Sequence, residues 1–386
     1  MGFSGHSSSV HRQKRQGPDL QAGERTDTVC QATIAYGVAD TVIAGRYSDE
    51  ALAALSVGSA FYISVYVGLI GVVQALLPRW AELHGAARHR ELGWSLRQSL
   101  YLSGFIVAAG MAALLFPAPL LFSTFNQSLG KPLLVTWLQV GALGVKIPLS
   151  IWLVAGGGGV EPMGAVGCAW ATLAVNYLLL ALAFVLLRTQ SLYRPYGLWR
   201  KIERPHWTEI GGFARLGVPA GLAYLVEVTS FTLMAIFIAR LGVVGAASHQ
   251  IAASVATVLY MVPLSMAIAC SARVSFWLGA GHAQRAKDTV LLGLKLTAGY
   301  AVFLGFAVYL GRRLIPVWYS ETPEIQVAAA TLLAWVAFYH VADAGQAVSA
   351  FMLRCYRITI APLAVYGVGL WGVGLYGGYL LTYKGF

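Results

Sequence analysis

Two carboxylates interrupt apolar stretches in the second half of the chain: Glu227 within Tyr-Leu-Val-Glu-Val-Thr-Ser-Phe and Asp343 within Tyr-His-Val-Ala-Asp-Ala-Gly-Gln. A charge held in such surroundings costs about 3 kcal/mol or more, so an ionisable group there marks a functional site by default. Facing each other, with hydroxyl and carbonyl oxygens nearby, the two would make a hard-oxygen site for Na⁺ or a site for a proton. The plainer reading is a protonated carboxyl hydrogen-bonded inside a helix bundle. In the first half, Asp40 lies in Val-Ala-Asp-Thr-Val-Ile-Ala-Gly-Arg, and Lys146 lies within the apolar run Gly141 to Val154. A buried lysine needs a partner, and Asp40 is the best candidate in that half; alternatively Lys146 sits near a helix end and snorkels to the interface. His340, three residues before Asp343, shares its helix face and would tune the carboxylate, shuttle protons or simply pack. His249-Gln250 opens a helix and reads first as a cap or gate contact. Tyr224, Phe231 and Tyr339, with Trp137, Trp152, Trp335 and the amide of Gln346, are candidates to line a cavity for flat cations. Such aromatic residues also form lipid belts and cores. Pro219 and Pro263 fall inside apolar helices, where they free backbone carbonyls and allow bending.

The elements that hold these groups follow from composition. The 386 residues are 58% hydrophobic and 11% charged, with a mean hydropathy of +0.66, whereas soluble domains carry roughly 25% charged residues. Apolar runs such as Leu133 to Ala155, Leu173 to Leu187 with its flanks, and Leu291 to Leu310 have the length that a bilayer core of about 30 Å demands of a helix. The pattern predicts helices near 29–46, 51–78, 96–122, 132–155, 163–187, 213–240, 246–272, 289–311, 325–352 and 360–383. The net charge of +11 comes from Lys and Arg in the short stretches between these runs, a positive-inside pattern and not a nucleic-acid footprint. Cys30, Cys168, Cys270 and Cys355 have no metal-ligand spacing and read as packing residues. The polar segment 1–28 lacks the apolar stretch of a signal peptide and predicts a cytoplasmic N-terminus in a bacterial-type inner membrane. Gly130-Lys131 is followed by proline and lacks the glycine spacing of a Walker A loop, which disfavours an ATP-driven pump. A membrane enzyme would need a nucleophile, a metal cluster or an acid/base pair near one interface. No His-rich motif or long catalytic loop suggests one, so no enzymatic activity and no cofactor are expected.

An offset of 194 residues carries Arg46 onto Arg240, Ala53 onto Ala247, Arg79 onto Arg273 and Gly85-Ala86 onto Gly279-Ala280 without a gap. Tandem repeats of this kind typify secondary transporters, which bind substrate between two halves and rock one against the other. The basic, proline-containing stretch 188–212 is the natural cytoplasmic linker between first-lobe helices at 29–187 and second-lobe helices at 213–386. The residues equivalent to 217–238 begin Gly-Glu-Arg-Thr-Asp-Thr, so the first helix reads as short. Lys131-Pro132 aligns with Ala361-Pro362 at an offset of 230, implying that the first half lacks about 36 residues, one hairpin-length helix. Basic loops at Arg79–Arg97 and Arg188–Arg204 are separated by three expected helices, so one crossing is absent or one segment is re-entrant. With nothing after Lys384 to match the helix at 163–187, the expected plan is twelve helices with about ten retained: an all-α polytopic membrane protein of two pseudo-symmetric lobes.

Several motifs together resemble the NorM-type branch of the MATE multidrug and toxin extrusion family: Ala39-Asp40-Thr41-Val42-Ile43-Ala44-Gly45-Arg46, Glu227-Val228-Thr229, Ala246-Ala247-Ser248-His249-Gln250-Ile251, Pro263-Leu264-Ser265, Leu278-Gly279-Ala280-Gly281 and Leu353-Arg354-Cys355-Tyr356. The resemblance runs from about residue 29 to the C-terminus. It implies two six-helix lobes that export organic cations, drugs and dyes as a monomer in exchange for Na⁺ or H⁺. It also implies roles for Asp40 as the first-lobe acid and for Glu227 and Asp343 as second-lobe carboxylates of the coupling cation, with Na⁺ as the metal candidate. Lys146 and Ser150 depart from the family's usual asparagines, so an ion pair with Asp40 stands in for a polar cation site there. The alternatives are a lipid or oligosaccharide flippase of the same superfamily, for which a larger and more cationic cavity is expected, or a truncated, non-transporting form.

Overall fold

The computed structural model describes residues 39–40, 43–44, 46–47, 68, 70–108, 117–157, 159, 161–199 and 203–383. The segment 1–28 and most of the first two expected helices lie outside the described residues. The described chain is all-helical: α1 (Leu77–Gly85), α2 (His89–Ala108), α3 (Pro117–Ser128), α4 (Pro132–Ala155), α5 (Ala165–Thr189), α6 (Trp207–Ala239), α7 (Val243–Gly279), α8 (Ala283–Gly311), α9 (Pro323–Cys355) and α10 (Ile360–Tyr383). Seven of these, α4 to α10, are long and apolar enough to cross a membrane. The side chains that cover their outer faces are apolar as well, because lipid and not water is the solvent there.

One expected helix is two. The reading of 96–122 as a single helix is corrected to α2, ending at Ala108, and α3, which begins at Pro117. Proline has no N–H to give to an earlier turn, so it interrupts a helix but starts one readily. The twelve residues of α3 span only about 18 Å. Its residues Phe122 and Phe125, with Leu129 just beyond it, join Trp80, Leu92, Leu96, Tyr193 and Tyr196 in one buried core. That core lies at the basic end of the molecule, so α2 leaves this end, the short α3 returns to it, and α4 and α5 repeat the excursion.

The linker between the halves is pinned at the same end. A six-residue 3₁₀ turn, Ser191–Tyr196, buries both its tyrosines. Tyr193 donates its hydroxyl to Asn126 Oδ1 at 2.6 Å. Arg97, buried within α2, donates to the Gly197 carbonyl and to Glu203, each at 2.9 Å, and Gln98 accepts from the His206 amide at 2.9 Å.

The two halves meet where α1 crosses α7. A Cβ on Gly85 would collide with the Phe276 carbonyl, and a Cβ on Gly279 with the Glu82 carbonyl. The same 194-residue offset that relates Gly85 to Gly279 relates Glu82 to Phe276, so the crossing is a pseudo-twofold contact of each half with the other's backbone. Arg357 adds an ion pair to Glu82 at 3.0 Å. Farther along, Gly217 and Gly221 of α6 touch Val72, and Gly71 touches Tyr224. Small residues let the two helix backbones approach this closely.

α10 changes winding midway: Gly367–Gly377 forms wide π turns. Five glycines in that stretch leave little side chain to hold an α-helical spacing, and π turns appear at functional positions in other helices. α10 is held to α6 by Trp371 Nε1 donating to the Val226 carbonyl at 3.2 Å and Tyr383 donating to the Phe237 carbonyl at 2.6 Å.

Candidate cation site and substrate cleft

In the C lobe, four helices converge on Glu227. α6 carries Glu227 one turn after Tyr224; α7 brings Tyr260, which hydrogen-bonds the Glu227 side chain; α9 brings Asp343 and Arg354 within electrostatic reach of it; α10 brings Tyr366 alongside. Tyr339, Asp343 and Gln346 follow one another at helical spacings on one stripe of α9, and Gln346 hydrogen-bonds Tyr366. Two carboxylates, two phenols and an amide are thus presented from four separate elements. This donor set is all oxygen apart from one amide nitrogen, which suits a hard monovalent cation or a proton. Among the described residues no group of three or more His, Cys, Asp or Glu side chains could hold a metal.

Helix direction divides the site's surroundings. α6 runs away from the basic end and α9 runs toward it. Phe231, Tyr339 and Trp335 therefore stand on the far side of the carboxylates, and all three are exposed, at 51%, 41% and 70%. Tyr224, Gln346, Arg354 and Tyr366 stand on the basic side. Arg354 is buried, its guanidinium lying 4.9 Å from the Tyr224 ring and 4.4 Å from the Phe351 ring, with Nη1 lacking a hydrogen-bond partner. The lobe contact of Gly71 with Tyr224 lies on this side. A separate cavity of about 550 Å³ at the basic end, lined by Arg79, Glu209, Phe213, Arg215 and Arg357, contains none of these groups.

The N lobe holds its charge differently. Lys146 Nζ donates to Asp40 Oδ2 at 2.7 Å, and Ser150 Oγ lies 3.5 Å from Oδ1. Lys146 and Ser150 are a helical turn apart on α4, with Pro148 between them. The lysine side chain is only 3% exposed and sits mid-helix, so it does not snorkel to either interface.

Other candidates fall apart from these centres. His340 is buried on α9, with its ring toward Tyr300 of α8 at 6.4 Å and Nε2 without a hydrogen-bond partner; it is Tyr339 that shares the electrostatic neighbourhood of Asp343. Trp137 is 71% exposed, and Trp152 turns its indole N–H back to the Gly157 carbonyl at 3.0 Å. His249 and Gln250 sit near the start of α7, about three turns before Tyr260. Tyr260, Tyr366 and Arg354 were not singled out by sequence as site residues. A tyrosine in an apolar helix carries no signal of its own, and only its register opposite Glu227 would have given it away.

A statistical model of the MatE family matches residues 31–144 and 219–380. The chain is 34% identical over 378 residues to the probable multidrug resistance protein NorM of Aromatoleum aromaticum, covering 90% of this chain and 82% of that protein. It is 30% identical over 377 residues to the multidrug resistance protein PmpM of Pseudomonas aeruginosa, covering 88% of this chain and 79% of that one. Among solved structures, the MATE transporter NorM-NG, in a complex that includes a monobody, superposes with a TM-score of 0.73 at 26% identity, covering 95% of this chain and 86% of the other. The eukaryotic MATE transporter AtDTX14 gives 0.81 at 18% identity over 96% of this chain and 90% of that one, a likeness of fold. An all-helical bundle of many membrane spans that matches this family, with relatives named as multidrug resistance proteins, is a transporter and not an enzyme. The chain belongs to the MatE family.

Proposed function

We infer that the protein is a secondary multidrug efflux transporter that exports cationic drugs and dyes in exchange for Na⁺ or H⁺, working as a monomer in a bacterial-type inner membrane with its basic loops and N-terminus in the cytoplasm. The observation that carries this reading is the meeting of Glu227 and Asp343 in the C lobe, with Phe231 and Tyr339 exposed one helical turn from them on α6 and α9. Aromatic faces attract flat organic cations, and the carboxylates below attract the same charge. The coupling cation and the drug then compete for one negative region, which is what exchange requires: each binds best where the other has left. The family membership and the relatives named as multidrug resistance proteins support the same reading. The match to the NorM relative covers 90% of this chain and 82% of that protein.

The test is ethidium efflux from vesicles carrying the full chain under imposed Na⁺ or H⁺ gradients. Gradient-driven efflux that Glu227→Gln and Asp343→Asn each reduce at least about tenfold is expected, since each removes a charge from the coupling site. Efflux at the normal rate with the normal ion dependence in either variant sinks the assignment.

A further inference from the structure

We propose that Lys146 and Arg354 are permanent internal counter-cations that fix how many ions the transporter exchanges. Lys146 neutralises the N-lobe carboxylate, and Arg354 offsets one of the two C-lobe carboxylates, so the molecule has room for one monovalent cation, at Glu227 and Asp343. This rests on the coupling reading above and adds to it a count and two residues that set it.

Net charge inside a bilayer is expensive, so a buried cluster is most stable when its formal charges cancel. Among the described residues of the N lobe the sum at this site is already zero: one carboxylate, Asp40, faces one ammonium, Lys146, at 2.7 Å with both side chains largely buried. Ser150 approaches the second carboxylate oxygen, so both oxygens of Asp40 have a polar neighbour. A further cation entering there would have to displace an ammonium that cannot diffuse away.

In the C lobe the sum is one short. Glu227 is faced by Tyr260 from α7, by Asp343 and Arg354 from α9 and by Tyr366 from α10, and Asp343 is faced by Tyr339. Two carboxylates against one guanidinium leave a deficit of a single positive charge. Independent geometry puts Arg354 in this role: it is turned inward, 7% exposed, and stacked on Tyr224, one turn from Glu227. Its Nη1 has no hydrogen-bond partner. A guanidinium held by aromatic faces stays charged and in place whichever carboxylate holds the exchanged cation. The other candidates add nothing to the sum. Residues 51–76 contain no Asp, Glu, Lys or Arg, and Lys295 on α8 is exposed on the outer surface.

The count is read from reconstituted full chain at zero membrane potential, as the slope of log dye ratio at equilibrium against log of the imposed ion ratio. A slope is independent of rate, so a variant that is merely slower does not change it. Wild type is expected at a slope of about one; a slope of about two overturns the count while leaving the coupling reading intact. The double variant Asp40→Asn/Lys146→Met should keep the wild-type slope, because it removes a neutral pair. A folded double variant that no longer couples dye to ion overturns the N-lobe half. Arg354→Gln deepens the C-lobe deficit and should raise the slope toward about two, with Arg354→Lys restoring about one. An Arg354→Gln protein that still exchanges a single ion overturns the role of Arg354. Normal ion dependence in Glu227→Gln and Asp343→Asn strikes the coupling reading itself, a different result from any of these.

Discussion

In the N lobe a carboxylate meets an ammonium on a facing helix, whereas in the C lobe two carboxylates meet each other among phenols, with one guanidinium behind them. The two lobes descend from one repeat, yet their buried charges are arranged for different ends. A matched pair resists opening, because separating it strands two charges. An unmatched pair of like charges is strained until a cation arrives, which makes it responsive to ion concentration. Removing one charge should therefore have opposite consequences in the two lobes. Lys146→Met leaves Asp40 buried and alone and should cost about 3–5 kcal/mol. Asp40→Asn/Lys146→Met should recover most of that loss. Glu227→Gln, by contrast, relieves a repulsion and should melt at or above the wild-type temperature while losing coupled efflux. Thermal unfolding of purified protein decides it: a Lys146→Met variant as stable as wild type would mean that the N-lobe pair holds nothing.

Where the lobes touch, symmetry returns. The Gly85 and Gly279 contacts are the same contact made twice, so valine at either should force the crossing of α1 and α7 apart at a cost of about 1–3 kcal/mol from overpacking. Gly299 on α8 has no atom near the position of its missing Cβ, and alanine there should be accepted. Spin labels on Arg90 and Arg285 report the separation of the halves at the basic end. A distance distribution unchanged by Gly85→Val and Gly279→Val would rule out this crossing as the closure.

The contrast between the lobes was partly legible in the sequence, and the reasons differ by residue. Glu227, Asp343 and Lys146 stand out because a charge in an apolar run has no solvent to justify it. The long helices α4 to α10 are likewise marked by apolar runs between basic loops. The break between α2 and α3 was hidden because apolar residues continue up to Pro117, and hydropathy alone does not separate one long helix from two short ones. Its signal was the proline pair at Pro117 and Pro119. Arg354 was obscured for the opposite reason. It lies at the end of α9 beside a loop, where an arginine ordinarily points to water, and only its contacts with the Tyr224 and Phe351 rings show that it turns inward. Tyr260 and Tyr366 are chosen by register across helices, which no single segment encodes. His340 shares a helix with Asp343, but packing directs it to Tyr300.

The basic end offers two smaller tests of what the linker contributes. Arg97 ties α2 to the linker through the Gly197 carbonyl and Glu203. Arg97→Ala should cost about 1.5–3 kcal/mol, since charged hydrogen bonds are lost and a half-buried carbonyl loses its donor. Loss of linker protection with the C-lobe melting unchanged would show by limited proteolysis between Arg188 and Arg204.

The smallest effect concerns His84, which packs against His89 and Tyr196 under the crossing of the lobes. Burial, and secondly the charge of His89, holds its pKa below the ordinary histidine value of 6.5. The folded state therefore binds fewer protons than the unfolded state as pH falls through this range. By linkage, stability should be full above about pH 6.5 and decline below it, until the pH reaches the lowered native value. Melting temperatures between pH 7.5 and 5.5 check this, with His84→Gln flattening part of the slope because glutamine cannot take up the proton. A steeper decline in His84→Gln than in wild type would reverse the sign and place a charged histidine in the closed crossing. The lobe contact would then be strengthened, not weakened, by acid.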